Sequence, residues 1–574
     1  MAKYKIPNEL GQARQLNLSD TSGEILSSKN IDLHTIPGKI KLARPMREVM
    51  DDTDLGGDQV VALEVFGGKI YVLTDTTLYS DDTPYNNFAS VSTSPQDSQD
   101  MVVFGGQLVI HAGTNIDAWD GSSYTDNWWT ARGNPALTGG ISTPPHMMEV
   151  LRIGAETLAV TDGSEVHAYT GGIGGSPILS TTVELGDTYI ATCIKSSIRN
   201  AWIGSYTEDS NQALVFEWDG SATNYTQSYP VGAKAVLSME IVDDVPIIVT
   251  ERGEIKMFNN SGFKTVAQFP FAFKPAFADA VETALIQRNN HARPIHPKGM
   301  KRHQNVVYIA VNFENVNTGF PLDDRTPNGI WAFDLTTYSL SHLCSPGNSS
   351  HFTTSGAIMI INDRYGRIYF GNRDINGLES LYAEDLNSAS INYGYFVTPE
   401  IEATSVTEAY NHTVAKALLG ENDEIVVKYR VKNEVLYPQT FASCVWSTTK
   451  IFNTTQDLSD IKTRFDAGHK DEVEVIYGSG AGRIAQITNV ELSSLTYTVT
   501  VDEAIGVVAG TSAIRFDNWT KIPKSMTQSD GEFLELGTDG KAGTFAQFKV
   551  AFKGYVGRPE MRAFMIDTQA KYRK

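Results

Sequence analysis

Cysteine is scarce: Cys193, Cys344 and Cys444 are the only three, far apart and odd in number. That spacing argues against a disulfide framework, suits a reducing compartment, and leaves a buried structural thiol as the expectation for each. Long apolar runs are missing too. No stretch of about 18 apolar residues occurs, so no membrane span is expected. The opening MAKYKIPNELGQ has basic residues but no apolar segment, so no secretory signal is expected. Positive charge is in deficit, with 47 Lys and Arg against 67 Asp and Glu, a net charge of −20. Residues 1–394 hold 27 basic against 44 acidic side chains, and residues 395–574 hold 20 against 23. A surface of that sign does not grip nucleic acid by counterion release, yet it could line a passage that nucleic acid crosses without sticking.

Catalytic signatures are equally thin. No Ser-x-Asp-x-Gly-x-x-Trp box of the propeller sialidases occurs, and no pair of acids can be chosen by spacing for glycoside chemistry. His291, His296 and His303 lie five and seven residues apart with no cysteine nearby, which fits no standard zinc pattern. The run from Asp120 to Asp126 alternates oxygen ligands like a calcium loop, but it lacks the bidentate Glu and the position-six glycine, so a turn is expected. The glycines from Gly478 to Gly482 are similar to a phosphate loop, without its lysine or its following helix, so a hairpin is expected there. Together these predict no enzyme, no cofactor and no metal.

What the sequence does have is repetition. Seven stretches of β-formers each end in an aromatic: Tyr79, Trp119, Tyr169, Trp218, Phe258, Phe333 and Tyr382. The intervals are 40, 50, 49, 40, 75 and 49 residues. A period of about 40–50 residues with several strands per unit marks a β-propeller. Seven markers predict about seven blades, with six or eight left open. Asp or Asn follows four of the seven aromatics directly, which predicts a turn after a ring packed between blades. The upstream Gly-His of WD40 repeats is absent. Gly67-Gly68 and Gly105-Gly106 are expected at tight hairpins needing positive φ.

The expected organisation is all-β: an arm at 1–55, a propeller at 56–392, and then a β-sandwich (393–465 with 520–574) into which a small barrel (466–519) is inserted. The arm carries IDLHTIPGKIKLARPM and is expected to cross the propeller and supply a closing strand to the last blade. The 75-residue interval contains an insertion at about 263–303. It is aromatic first (Phe269, Phe271, Phe273, Phe277) and then basic (Arg288, Arg293, Lys298, Lys301, Arg302). A long aromatic and basic loop on an acidic propeller reads as a docking element for another subunit.

The arm SSKNIDLHTIPGKIKLARPM, the aromatic-Asp-Gly repeats, the PIHPKGM stretch and the GSGAGRIAQITNV…YTVTVDEAIG module together resemble bacteriophage tail proteins of the β-propeller type. These are nozzle or tail-stabilising subunits. The resemblance touches most of the chain. It implies a virion structural protein in a homo-oligomeric ring around the DNA exit channel. The neighbours would be portal or adaptor proteins above and fibres or spikes at the side, with assembly in a bacterial cytoplasm. The alternative is a carbohydrate-binding or carbohydrate-degrading propeller, in which Trp128 and Trp129 beside Tyr124 would stack on sugar rings.

Overall fold

The computed structural model describes residues 2–5, 27–33, 40–44, 46–81, 88–134, 136–137, 146–153, 156–171, 178–207, 212–269, 295–311, 329–344, 354–360, 367–373, 378–385, 392–398, 401–402, 410–419, 423–431, 440–478, 483–521, 526–527, 533–536, 545–554 and 560–568. Among them are seven four-stranded sheets. Their first strands are Val60–Phe66, Ser98–Phe104, Met148–Leu151, Tyr189–Ser196, Val236–Val242, Met300–His303 and Thr354–Ile360. In the first six sheets the strands follow chain order. The seventh takes its fourth strand, Met46–Met50, from the amino-terminal arm. First strands of successive sheets touch one another, and the seventh touches the first, so the ring closes. This is a β-propeller, and these first strands line its axis.

All seven aromatic markers fall on third strands, such as Leu78–Asp81, Asn115–Trp119 and Glu379–Glu384. The turn after the marker has a specific cause. Asp120 Oδ1 accepts from the amides of Ser122 and Ser123, each at 2.7 Å. Asp219 does the same for Ser221 and Ala222, and Asp334 for Thr336 and Thr337. These backbone donors hold the carboxyls of Asp120 and Asp219 below their ordinary range. The Asp120 carboxylate is thus engaged by its own turn. Gly67 and Gly68, at φ 57° and 81°, join Phe66 to Lys69 in the expected hairpin.

Buried apolar clusters form between successive sheets rather than within one, because each sheet is apolar on both faces. Leu63, Val72 and Tyr79 of sheet one meet Tyr369, Leu381 and Ala383 of sheet seven, with Met50 of the closing strand. Each large side chain buried in this way contributes about 1.5–3 kcal/mol. Trp129 lies edge-on to Tyr169 at 3.7 Å between ring centres in the seam of sheets two and three. Cys193, Cys344 and Cys444 are all buried, and burial pushes the Cys193 thiol up to about 11.

Where the seams are tightest the chain has glycine. A Cβ on Gly204 would sit 2.6 Å from Cys193 Sγ and 2.8 Å from Val236 of the next sheet. Gly204→Ala is therefore expected to lower stability by about 1–3 kcal/mol through overpacking. Urea denaturation would measure this, and an unchanged midpoint would contradict the packing.

By density of contacts the chain forms two compact units, Met1–Arg47 with Phe320–Phe352 and Asp385–Lys574, and Glu48–Gly319 with Thr353–Glu384. The first unit holds two further antiparallel sheets. One pairs Glu560–Thr568 with Tyr410–Leu418, Ile40–Leu42 and Ala2–Lys5. The other is ordered Ser27–Lys29, Asn392–Val397, Phe545–Gly554, Glu424–Val431, Thr520–Lys521.

The same unit contains a closed barrel of six strands, from Thr440–Trp446 to Thr511–Asp517. Tyr497, Val499 and Val501 face inward as their alternation with threonine predicts. The barrel begins upstream of residue 466. Its first two strands, Thr440–Trp446 and Ile451–Thr454, are cut off from the other four by the helix Ser459–Asp466, so the sustained strand pattern in the sequence starts only after that helix. Glu474 pairs with Ile484 across the glycine-rich stretch, giving the expected hairpin there; 479–482 lie outside the described residues.

Candidate functional site: the charged axis of the propeller

The first strands are apolar runs broken by single charges. Glu64 interrupts VVALEVF, Glu149 sits in MEVL, Lys195 near the end of YIATCIKS, and Glu240 in VLSMEIV. These charges sit on the innermost strands, which meet their neighbours around the axis. Lys195 Nζ lies 3.9 Å from Glu149 on the preceding sheet and 3.9 Å from Glu240 on the following one. Burial alone would lower the Lys195 pKa, but Glu149, Glu240, Asp100 and Glu64 together hold it above the usual lysine range. Lys195 therefore stays charged and serves as the counter-ion of this acidic lining.

Asp100 supplies a second layer. A bulge in Ser98–Phe104 breaks the register between Ser98 and Met101. It turns the Asp100 carboxylate toward its neighbours. Oδ2 accepts from Met148 N of sheet three at 2.6 Å, and Lys298 Nζ stands 2.5 Å from Oδ1. Lys298 also donates to Met101 O at 3.2 Å. It precedes the first strand of sheet six. Sheets two and six are not neighbours, so this ion pair crosses the axis. Asp100 is fully buried, which pushes its carboxyl above the ordinary range, with Lys298 and the two amides pulling it back. Ser238 Oγ donates to Pro297 O at 2.8 Å and fixes the same segment to sheet five.

The insertion residues are placed as follows. Phe269 is fully buried, and its N–H donates to Gly253 O at 2.9 Å. Lys298 is the axial cation just described. Arg302 pairs with Asp243 at 2.7 Å on the rim, and Lys301 is half-buried on the same strand. His296 Nδ1 accepts from Lys298 N at 3.1 Å. Phe271, Phe273, Phe277, Arg288, Arg293 and His291 lie outside the described residues. Trp128 and Trp129 are 5% and 0% exposed, so neither offers a ring face to a sugar. The Tyr124 hydroxyl donates to Asp117 at 2.8 Å.

A further cluster of buried charge lies in the other unit. Lys428 and Lys549 stand directly opposite each other on paired strands, an arrangement that is repulsive by itself. Glu472 of the barrel inserts between them: Lys549 Nζ is 2.5 Å from Oε1, and Lys428 bonds the other oxygen. Two residues on, Glu474 accepts from Lys29 at 2.6 Å and from Arg515. Lys549 also sits 3.9 Å above the Tyr395 ring. Burial lowers the pKa values of Lys29 and Lys428. Burial alone would raise that of Glu472, but Lys428 and Lys549 bring it below its ordinary value. The cluster fastens the barrel to the sheet that holds Glu424–Val431 and Phe545–Gly554.

No protein-family model and no curated protein matches the chain. Among solved structures it is similar to the WD40 β-propeller domain of Doa1, at 11% identity over 60% of this chain and 97% of that one, with a TM-score of 0.39. The WD40 domain of Neurospora crassa Pan2 is similar at 8% identity over 60% and 96%, with a TM-score of 0.37. The computationally designed Ika8 protein is similar at 10% identity over 65% and 98%, with a TM-score of 0.34.

Proposed function

We propose that the chain is a non-enzymatic structural subunit of a bacteriophage tail, of the nozzle or hub type. In this reading, copies form a ring whose inner wall faces the DNA exit channel. The two sheets of the first unit form a β-sandwich carrying the inserted barrel. Sandwich and barrel offer faces to portal or adaptor proteins and to fibres or spikes, and assembly takes place in the bacterial cytoplasm. The observation that carries it is the joining of an acidic, arm-closed seven-sheet propeller to a two-sheet unit with a closed barrel. The net charge of −20 suits a wall that repels phosphate and lets a genome slide. Because Lys298 and Asp100 bridge the axis, the DNA would run along the wall made by the ring of subunits and not through the propeller's own centre.

Deleting 265–303 would remove part of Phe263–Gln268, the axial Lys298 and the first strand of sheet six, and so would test folding and not docking. Deleting only 270–294 spares all three. Particles carrying that deletion are expected to lack completed tails, scored by electron microscopy and plaque titre. Normal infectious particles would remove the docking role. Absence of the full chain from purified virions would overturn the reading as a whole.

A further inference from the structure

His111, on the second strand of sheet two, is fully buried, and neither of its ring nitrogens has a hydrogen-bond partner among the described residues. Its ring stacks on that of His146 at 4.7 Å between centres and 28° between planes. His146 is equally buried and leads into the first strand of sheet three. Its backbone N–H donates to Gln99 Oε1 at 2.7 Å, and its Nδ1 lies 2.8 Å from Thr161 O, so this nitrogen carries the proton. The two rings therefore lie together in the seam between sheets two and three.

We propose that this stacked pair is a proton-sensitive latch: neutral imidazoles close the seam, and mild acid loosens it. A line of titratable groups connects the latch to solvent. Asp162 stands 3.7 Å from His146 Nδ1 and 3.6 Å from His167 Nε2, and His167 in turn is 3.6 Å from the half-exposed Glu165. Two other buried carboxyls belong to sheet two: Asp100, which Lys298 pairs, and Asp117, which accepts from the Tyr124 hydroxyl and the Asn127 amide. A proton on His111 would enter a fully buried ring that has no hydrogen-bond partner among the described residues and is stacked on a second imidazole.

The sign follows from linkage. Burial first, and His146 second, hold His111 well below an ordinary histidine, while the unfolded chain titrates near about 6.5. Stability from this group is complete above that value and is lost as pH falls toward the folded pKa, where the unfolded chain binds more protons.

The test is urea denaturation of the full chain from pH 7.5 to 5.5, with hydrogen exchange read at Gln107–Ala112 and Met148–Leu151. The wild-type unfolding constant is expected to rise by up to about tenfold per pH unit below about 6.5 for each proton the folded seam refuses. Exchange should quicken first in those two strands. His111→Leu should flatten the profile and remove the local change. If His111→Leu does not fold, His111→Phe, whose ring can keep the stack on His146 without a titratable nitrogen, is read by the same criterion. Parallel profiles for wild type and the folded variant, or acid exchange no faster in these strands than elsewhere, would overturn the latch.

Discussion

Glu472→Gln is expected to destabilise the barrel-bearing unit by about 3–5 kcal/mol, the usual cost of removing one partner from a buried ion cluster. The amide would leave Lys428 and Lys549 opposed across one strand pair with no anion between them, both nearly inaccessible to water. Trp519, whose ring lies 5.9 Å from Lys549 Nζ, provides a local fluorescence reporter during denaturation. The combined variant Lys428→Met, Glu472→Leu, Lys549→Met should recover most of the loss, because a well-packed apolar replacement spares all three charges their desolvation. A loss below about 1 kcal/mol for Glu472→Gln would mean that water already reaches the cluster. In the wild type, Glu472 titrates below its unfolded value of about 4.3. Its contribution is thus present above that pH and lost as pH falls through the folded pKa.

Lys298→Met should be nearly as damaging at neutral pH, by about 3 kcal/mol or more, and its pH dependence runs the other way. The substitution leaves the Asp100 carboxylate buried with the Met148 and Met101 amides as its direct partners and only the more distant field of Lys195. Burial already raises the pKa of Asp100, and losing the cation raises it further. A carboxyl whose folded pKa is raised stabilises fully below its unfolded pKa and loses that contribution as pH rises through the folded value. The deficit of the variant should therefore shrink on acidification toward pH 4 and widen toward pH 7. Stability curves at both pH values decide it. A constant deficit would mean that Lys298 acts through packing and not charge.

The propeller was legible because its markers are local. An aromatic, an Asp turn and a glycine hairpin each act within a few residues, so Trp119-Asp120 or Gly67-Gly68 can be read without knowing what lies opposite. The closing strand was legible for a related reason: seven repeats in need of a partner, and an unassigned strand-like arm. The axial charges left a signal that was passed over, single Glu or Lys residues inside apolar first strands at Glu64, Glu149, Lys195 and Glu240. Asp100 with Lys298, and Glu472 with Lys428 and Lys549, left none. Their meaning lies in pairings between distant strands, and Glu472 in EVEVIYG looks like any solvent-facing residue of a half-buried strand. The start of the barrel is not legible because the helix Ser459–Asp466 separates Thr440–Trp446 and Ile451–Thr454 from the other four strands.

The strand Met46–Met50 completes a sheet whose other members come from Thr354 onward, and Ser380 bonds Glu48 across 332 positions of chain. On the ribosome, then, six sheets emerge as an arc whose two free margins have nothing to cover them. The circle can shut only when the stretch up to Glu384 has been synthesised and meets a segment made long before. Such a far-separated pairing is slow to find. Until then, the margin of the first sheet and the waiting amino-terminal strand are available to a second nascent chain, so swapping of that strand between copies is the characteristic error this topology has to avoid.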